Sequence, residues 1–264
     1  MRGTHCKVVT GFEIGLSHLS EGKECQDFAG TCRKNETVCA IVCDGAGSEK
    51  HSAIGAEITA NVVSSLVVDK FDQLWNASVH NVSTELIVQV LDELEDTSAR
   101  KDIPLSSLAC TISFVATQTR RNAVRFICGN LGDGMVIQRE KRGLRLILGP
   151  QNGEFANQTF FVTSTNAQEL LRIKKGTVPV NQIPGWLITT DGAGPLLYEN
   201  ASSQFAPLVL SLLEDLRTQP VNKVETNLEQ ILKDVLVPAA FDDCSIGVVQ
   251  TVARGSNIQR RAYC

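Results

Sequence analysis

Apolar runs of strand length in this sequence repeatedly stop at, or start from, an aspartate. Residues 38–43 are apolar without a break, and Asp44 follows at once, with Gly45, Ala46 and Gly47 behind it. The run at 186–190 ends in Asp191-Gly192, Asp133-Gly134 sits between runs at 123–128 and 135–139, and Asp242-Asp243 opens the run at 244–252. Asp27 stands just before another possible strand that begins at Phe28. A carboxylate at the end of a buried strand lies at the rim of a core, where it must be solvated, paired or bound to a metal. Taken singly, each of these aspartates is more readily a turn former, since Asp-Gly is a common turn dipeptide. Gathered at one end of a sandwich they would repel one another strongly unless a cation sat among them. Carboxylate and backbone oxygens select hard ions, Mg²⁺ or Mn²⁺, and no His or Cys spacing points to zinc. Two such ions about 3.5–4 Å apart could hold a bridging hydroxide and clamp a phosphoryl oxygen.

The order of the remaining patterns limits the fold further. Residues 7–15 alternate loosely as a first strand, and 17–27 form a polar loop. From Ser52, the residues Ile54, Ile58, Val62 and Leu66 recur at i, i+4 spacing, which predicts a helix with one buried face. A second helix is expected over 84–95. Strands follow at 108–117, 123–128, 135–139 and 144–148, then an irregular polar stretch at 149–159, a short strand at 160–162 and a helix at 166–174. A strand at 186–190, helices at 205–216 and 221–236 and a last strand at 244–252 complete the chain. Strands, two helices, strands, two helices and a strand do not make the alternation of a parallel sheet. They suit an α+β fold of packed antiparallel sheets with helix pairs outside, in one domain over residues 1–253 with a polar tail at 254–264.

Composition excludes several function classes. A net charge of −4 argues against nucleic acid or an anionic membrane as the main partner. No apolar run approaches the roughly 18 residues that span a bilayer, and the N-terminal residues carry no apolar core of a signal peptide. The nine cysteines include no CxxC pair, and several lie inside apolar strands, so they read as reduced thiols in a cytoplasmic protein. The Asn-x-Ser/Thr sequons at Asn35, Asn76, Asn81, Asn157 and Asn200 then carry no meaning. There is no Gly-Lys-Ser/Thr phosphate loop and no Gly-x-Ser-x-Gly elbow. His51 and His80 have no visible partners.

Five motifs in order, CQD at 25–27, VCDGAGSE at 42–49, LGDGMV at 131–136, TTDG at 189–192 and DDCS at 242–245, resemble the metal-dependent type 2C protein phosphatases, most closely a compact bacterial branch. They span nearly the whole chain. The resemblance implies two packed antiparallel β-sheets flanked by helix pairs. It implies hydrolysis of phosphoserine and phosphothreonine in proteins by a metal-bridging water, without a phosphoenzyme. By the same resemblance Asp44 bridges two Mg²⁺ or Mn²⁺ ions, Gly45 binds through its carbonyl, and Asp191 and Asp242 hold the first ion. Asp133 sits where some members bind a third ion together with the residue matching Asp191, and Asp27 orders metal-bound water. The implied partners are a phosphorylated protein and the opposing Ser/Thr kinase, with a monomer as the expected state.

Three positions depart from the family pattern. The Glu before the Asp is Gln26, which removes a negative charge from the second ion's surroundings. The His that follows Asp-Gly in many eukaryotic members is Ala46. The phosphate-binding Arg is absent, with Gly22 near its place, and Ser17, His18 and Lys23 are the candidate substitutes, each more readily a solvated loop residue. The stretch 149–159 falls where the family carries its flap, so Glu154 and Asn157 are expected to face the cleft. Arg139, Lys141, Arg142 and Arg145 read either as a contact for an acidic phosphoprotein or as a solvated turn. These departures motivate a second hypothesis: a catalytically weak member that binds a phosphoprotein or kinase as a regulator.

Overall fold

The unbroken apolar run at 38–43 is explained by a strand buried on both faces. Its side chains alternate between two separate cores: Ala40 and Val42 point one way, Cys39, Ile41 and Cys43 the other. The computed structural model describes residues 4–151 and 159–253. In chain order, β1 (Thr4–Glu13) leads through one helical turn, α1 (Leu16–Ser20), to the hairpin β2 (Asp27–Lys34) and β3 (Thr37–Asp44). Helices α2 (Ser52–Asp69), α3 (Phe71–Asn76) and α4 (Val79–Lys101) follow. Two hairpins, one in each sheet, come next: β4 (Ile112–Thr119) with β5 (Ala123–Leu131), and β6 (Met135–Glu140) with β7 (Gly143–Leu148). The turn α5 (Ala167–Leu170) precedes β8 (Arg172–Pro179) and β9 (Gly185–Thr189). A further turn, α6 (Gly194–Leu197), and a short ribbon, β10 (Tyr198–Glu199) with β11 (Gln204–Phe205), lead to α7 (Pro207–Thr218), α8 (Val221–Ile231) and β12 (Cys244–Ala253).

The long strands form two antiparallel five-stranded sheets, in the orders β1-β12-β9-β6-β7 and β2-β3-β4-β5-β8. They pack face to face over Val42, Val115, Val136, Trp186, Ile188 and Val249. The outer face of the second sheet packs Ile41, Phe114 and Ile127 among apolar residues of α2 and α4, and the outer face of the first packs Ile137, Leu187, Ile246 and Val248 among those of α7 and α8. The result is four layers, helix–sheet–sheet–helix, as the order of elements predicts. Helix α2 lies close enough to residue 108 that a Cβ on Gly55 would overlap the Leu108 carbonyl oxygen, which accounts for the small residues on its buried face. No helix among the described residues is long and apolar enough to cross a membrane, and the eight described cysteines are all free thiols.

Several expectations are corrected. Residues 160–162 are not a strand: they form an irregular segment in which the Val162 N–H donates to the Cys110 carbonyl at 2.9 Å. The helix expected over 166–174 is a single turn, after which Arg172–Pro179 runs as an edge strand. Charged residues such as Arg172 and Lys174 are a common protection for an exposed sheet edge, and they disguise it here. The polar loop at 17–27 contains α1. Helix α4 extends well beyond 84–95, with the Ser78 hydroxyl capping its start by accepting from the Asn81 N–H. The helix expected over 221–236 ends as α-helix at Ile231, and its last turn, Leu232–Leu236, is π-helical. The tail at 254–264 and residues 152–158 lie outside the described residues.

Candidate metal centre

The aspartates converge because antiparallel strands bring alternate chain ends to one edge of each sheet. Asp27 opens β2 and Asp44 closes β3, and the two are directly paired across the hairpin. In the other sheet Thr189 pairs with both Met135 and Ile246, so Asp133, Asp191 and Asp242 lie at the same end of three adjacent strands. Carboxylate oxygens of Asp44, Asp133 and Asp191 all fall within 4.8 Å of one another. Each of the three is only half-buried, so the cluster opens to solvent. Asp133 Oδ2 accepts from the Thr159 hydroxyl at 2.7 Å, while its Oδ1 is buried without a hydrogen-bond partner among the described residues.

Electrostatics make this a costly arrangement without a cation. Burial pushes the Asp44 carboxyl well above the usual range, and the charges of Asp27, Asp191, Asp133 and Asp242 push it further. Burial raises Asp191 to about 7, with Asp133 and Asp242 adding to the effect. Burial raises Asp27 to about 8 against the opposing hydrogen bond from the Thr190 hydroxyl. An all-oxygen set of crowded carboxylates, one with an unpartnered buried oxygen, fits a hard divalent cation.

Close backbone approaches set the geometry. A Cβ on Gly45 would stand 2.7 Å from the Gln26 carbonyl oxygen, and the Gly45 N–H donates to that oxygen at 3.1 Å. A Cβ on Gly192 would overlap the Asp243 carbonyl oxygen. The glycines after Asp44 and Asp191 are therefore required by packing, since neither has a positive φ. Thr190 joins the two sheets here: its hydroxyl donates to Asp27 Oδ2 at 2.8 Å and accepts from the Ser245 N–H at 3.1 Å.

The sequence reading missed Asp243. This carboxylate is 2% exposed and ties three segments together. Its Oδ1 accepts from the Gly15 N–H at 2.6 Å and lies 3.0 Å from His18 Nδ1, and its Oδ2 accepts from the Gln26 N–H at 2.6 Å. The only signal was the Asp-Asp doublet itself. Of the three candidate phosphate ligands, His18 is buried against Asp243, and Ser17 donates to the Phe241 carbonyl at 2.8 Å. Lys23 is exposed and paired with Glu21 at 2.7 Å, on the wall of a cavity of about 750 Å³ that Gln26, Gly47 and Lys50 also line. Glu154 and Asn157 lie outside the described residues. The basic cluster sits at the β6–β7 turn, the opposite end of β6 from Asp133, with Arg139 paired to Glu214 and Arg145 to Glu140. It is a solvated turn remote from the centre, with Lys141 and Arg142 exposed. Ala46 is buried, with its N–H donating to the Ala109 carbonyl at 2.9 Å.

Comparison with known proteins bears on the same features. Residues 14–233 match the protein phosphatase 2C family. The chain is 26% identical over 192 residues to Serine/threonine-protein phosphatase 3 of Escherichia coli (strain K12), covering 70% of this chain and 73% of that protein. Its fold superposes on a bacterial serine phosphatase with a TM-score of 0.62 at 12% identity, covering 96% of this chain and 100% of the other. It also superposes on the catalytic domain of the serine threonine protein phosphatase PstP in complex with two manganese ions, with a TM-score of 0.57 at 11% identity, covering 94% and 99%. A match over most of the length, on the fold that carries the aspartate cluster, establishes that the chain belongs to the protein phosphatase 2C family.

Proposed function

We propose that this chain hydrolyses phosphoserine and phosphothreonine in proteins, using divalent cations held at the aspartate cluster. The observation that carries the reading is the convergence of Asp44, Asp133 and Asp191 within 4.8 Å at the open end of the sandwich. In this reading Asp44, Asp191 and Asp242 hold a first ion, and Asp44 with the Gly45 carbonyl holds a second. Asp133 and Asp191 take a third. Bound Mg²⁺ or Mn²⁺ supplies charge neutralisation for a phosphoryl group and a water activated at neutral pH. The chain's own residues then fix where the phosphoryl group sits. Thr190 keeps the Asp27 carboxyl turned inward, and Asp243 locks the segments on either side of Asp242.

A protein, rather than a small metabolite, is the substrate that the rim suits. Leu16, Leu19 and Phe241 are 52%, 55% and 96% exposed, on two segments joined by the Ser17–Phe241 hydrogen bond and next to Asp242. Such apolar exposure beside a polar cleft marks a macromolecular contact. The opposing Ser/Thr kinase is a natural second partner, and the free thiols agree with work in the cytoplasm.

The test is phosphate release from a phosphothreonine peptide with Mn²⁺, Mg²⁺ or EDTA. Turnover is expected with metal, lost in EDTA, and lost in Asp44→Ala with the fold retained. Unchanged activity in that variant would sink the proposal. The alternative, a silent regulator, draws on Ala46 and the absent Arg. It predicts metal binding with no turnover in the same assay.

A further inference from the structure

Of the four histidines, His18 alone is buried. Its short helix turns Leu16 and Leu19 to solvent and the imidazole inward, the reverse of what an apolar core selects. Polar contacts hold the ring there. Asp243 Oδ1, already accepting from the Gly15 N–H, lies 3.0 Å from His18 Nδ1, and the second oxygen of the same carboxylate accepts from Gln26. A carboxylate that serves this many donors is an acceptor throughout, so Nδ1 carries the hydrogen and Nε2 keeps its lone pair in the neutral ring. That lone pair faces Asp242 Oδ1 at 3.7 Å, beyond hydrogen-bond reach. Two acceptors are thus set toward each other at the edge of the centre, the imidazole 10% exposed and the Asp242 side chain 47% exposed, with Asp242 Oδ1 also accepting from the Asp243 N–H at 2.8 Å. Donors each about 2.1 Å from one ion stand about 3 to 4.2 Å apart, so the observed gap has the width of a cation with two ligands. An imidazole oriented by a carboxylate on its far nitrogen is also the usual surrounding of a metal-bound histidine.

We infer that His18 Nε2 is a ligand of the cation held by Asp242, and that Asp243 is a positioning residue that fixes the ring and its tautomer. The inference rests on the metal-dependent reading above and adds a nitrogen donor to an otherwise all-oxygen centre. A nitrogen ligand favours Mn²⁺ and later first-row ions over Mg²⁺.

The test is electron-spin-echo modulation spectroscopy on the EDTA-stripped full chain reloaded with Mn²⁺, beside calorimetric Mn²⁺ titration. Imidazole ¹⁴N modulation is expected in the wild type and is lost in His18→Ala, with Mn²⁺ affinity falling at least tenfold and Mg²⁺ affinity falling less. Asp243→Asn should weaken the ¹⁴N signal through disorder of the ring. If His18→Ala does not fold, the wild-type spectrum decides alone. Tight Mn²⁺ binding with no ¹⁴N modulation overturns the inference and favours a protonated ring bridging the two aspartates, leaving the phosphatase reading intact. Failure to bind Mn²⁺ at all overturns both.

Discussion

The aspartate cluster should make the metal-free protein less stable than a variant that lacks one of its charges. Asp191 shows how much. Burial, then the charges of Asp133 and Asp242, lift its carboxyl from 3.8 to about 7. A folded-state pKa above the unfolded one means stability that is full below about pH 4 and is lost as pH rises to about 7. Three pKa units correspond to about 4 kcal/mol, and solvent at the half-open rim screens part of that, which leaves about 2 kcal/mol. In EDTA at pH 8, Asp191→Asn should therefore be more stable than the wild type by about 2 kcal/mol, or about 4–8 °C in Tm for a domain of this size. The difference should vanish only below the unfolded-state pKa of 3.8, at about pH 3, where the wild-type carboxyl is protonated in both states. It should reverse with saturating Mn²⁺, because an ion at about 100 times its Kd adds about 2.7 kcal/mol to the native state that binds it. Urea unfolding followed by circular dichroism at the two pH values, with EDTA and with Mn²⁺, reads all three signs. If Asp191→Asn is less stable than the wild type in EDTA at pH 8, crowding of carboxylates is not what distinguishes this end of the sandwich.

Two further outcomes follow from contacts away from the cluster and at its rim. Lys175 Nζ donates to the carbonyls of Leu74, Trp75 and Ala77 at 3.2, 2.9 and 2.5 Å, capping the end of α3, so Lys175→Met should cost about 1–2 kcal/mol in thermal or urea unfolding and leave kcat unchanged. Replacing Leu19 or Phe241 with Ser should raise KM for a folded phosphoprotein several-fold with kcat within twofold, and an unchanged KM would remove the rim from substrate recognition.

What could be read from the sequence was what local chemistry determines. The run at 38–43 read as a buried strand, and an aspartate placed at its end had to be solvated, paired or bound to a cation. Helix α2 followed from the i, i+4 spacing of Ile54 to Leu66, although those residues flank the core and the fully buried face is the neighbouring stripe of Gly55, Ala56, Thr59, Ala60, Val63 and Val67. Edge strand β8 was hidden because Leu170, Leu171 and Ile173 fit a helical stripe as well as a strand, and only its pairing with β5 settles the matter. Helix α1, at five residues, is too short to show a period. The partnership of His18 with Asp243 joins residues 225 apart, and no local pattern announces it. The doublet at 242–243 could be recognised, but not divided. Adjacent residues entering a strand point opposite ways, which leaves Asp242 half-exposed at the cluster and Asp243 buried beneath it. The sequence alone does not say which is which.

Gln26 illustrates how a departure from the family pattern follows from its neighbours. Its side-chain Nε2 donates to the Glu49 carbonyl at 2.9 Å and to the Ser52 hydroxyl at 2.7 Å, and that hydroxyl donates in turn to the Glu49 carbonyl at 3.1 Å. The amide thus fixes the start of α2, the element that follows the Asp44 turn. A glutamate in the same rotamer would set a carboxylate oxygen against a carbonyl oxygen and leave both without a proton to share, a loss of the order of 1–3 kcal/mol for each buried polar group left unpaired. It would also add a charge beside Asp27 and Asp44, whose carboxyls are already raised. The amide oxygen, meanwhile, is buried and has no partner among the described residues. The substitution therefore removes a charge without removing an oxygen donor. The neutral residue at this position is what the hydrogen bonds of α2 require, and it carries no argument for a silent enzyme.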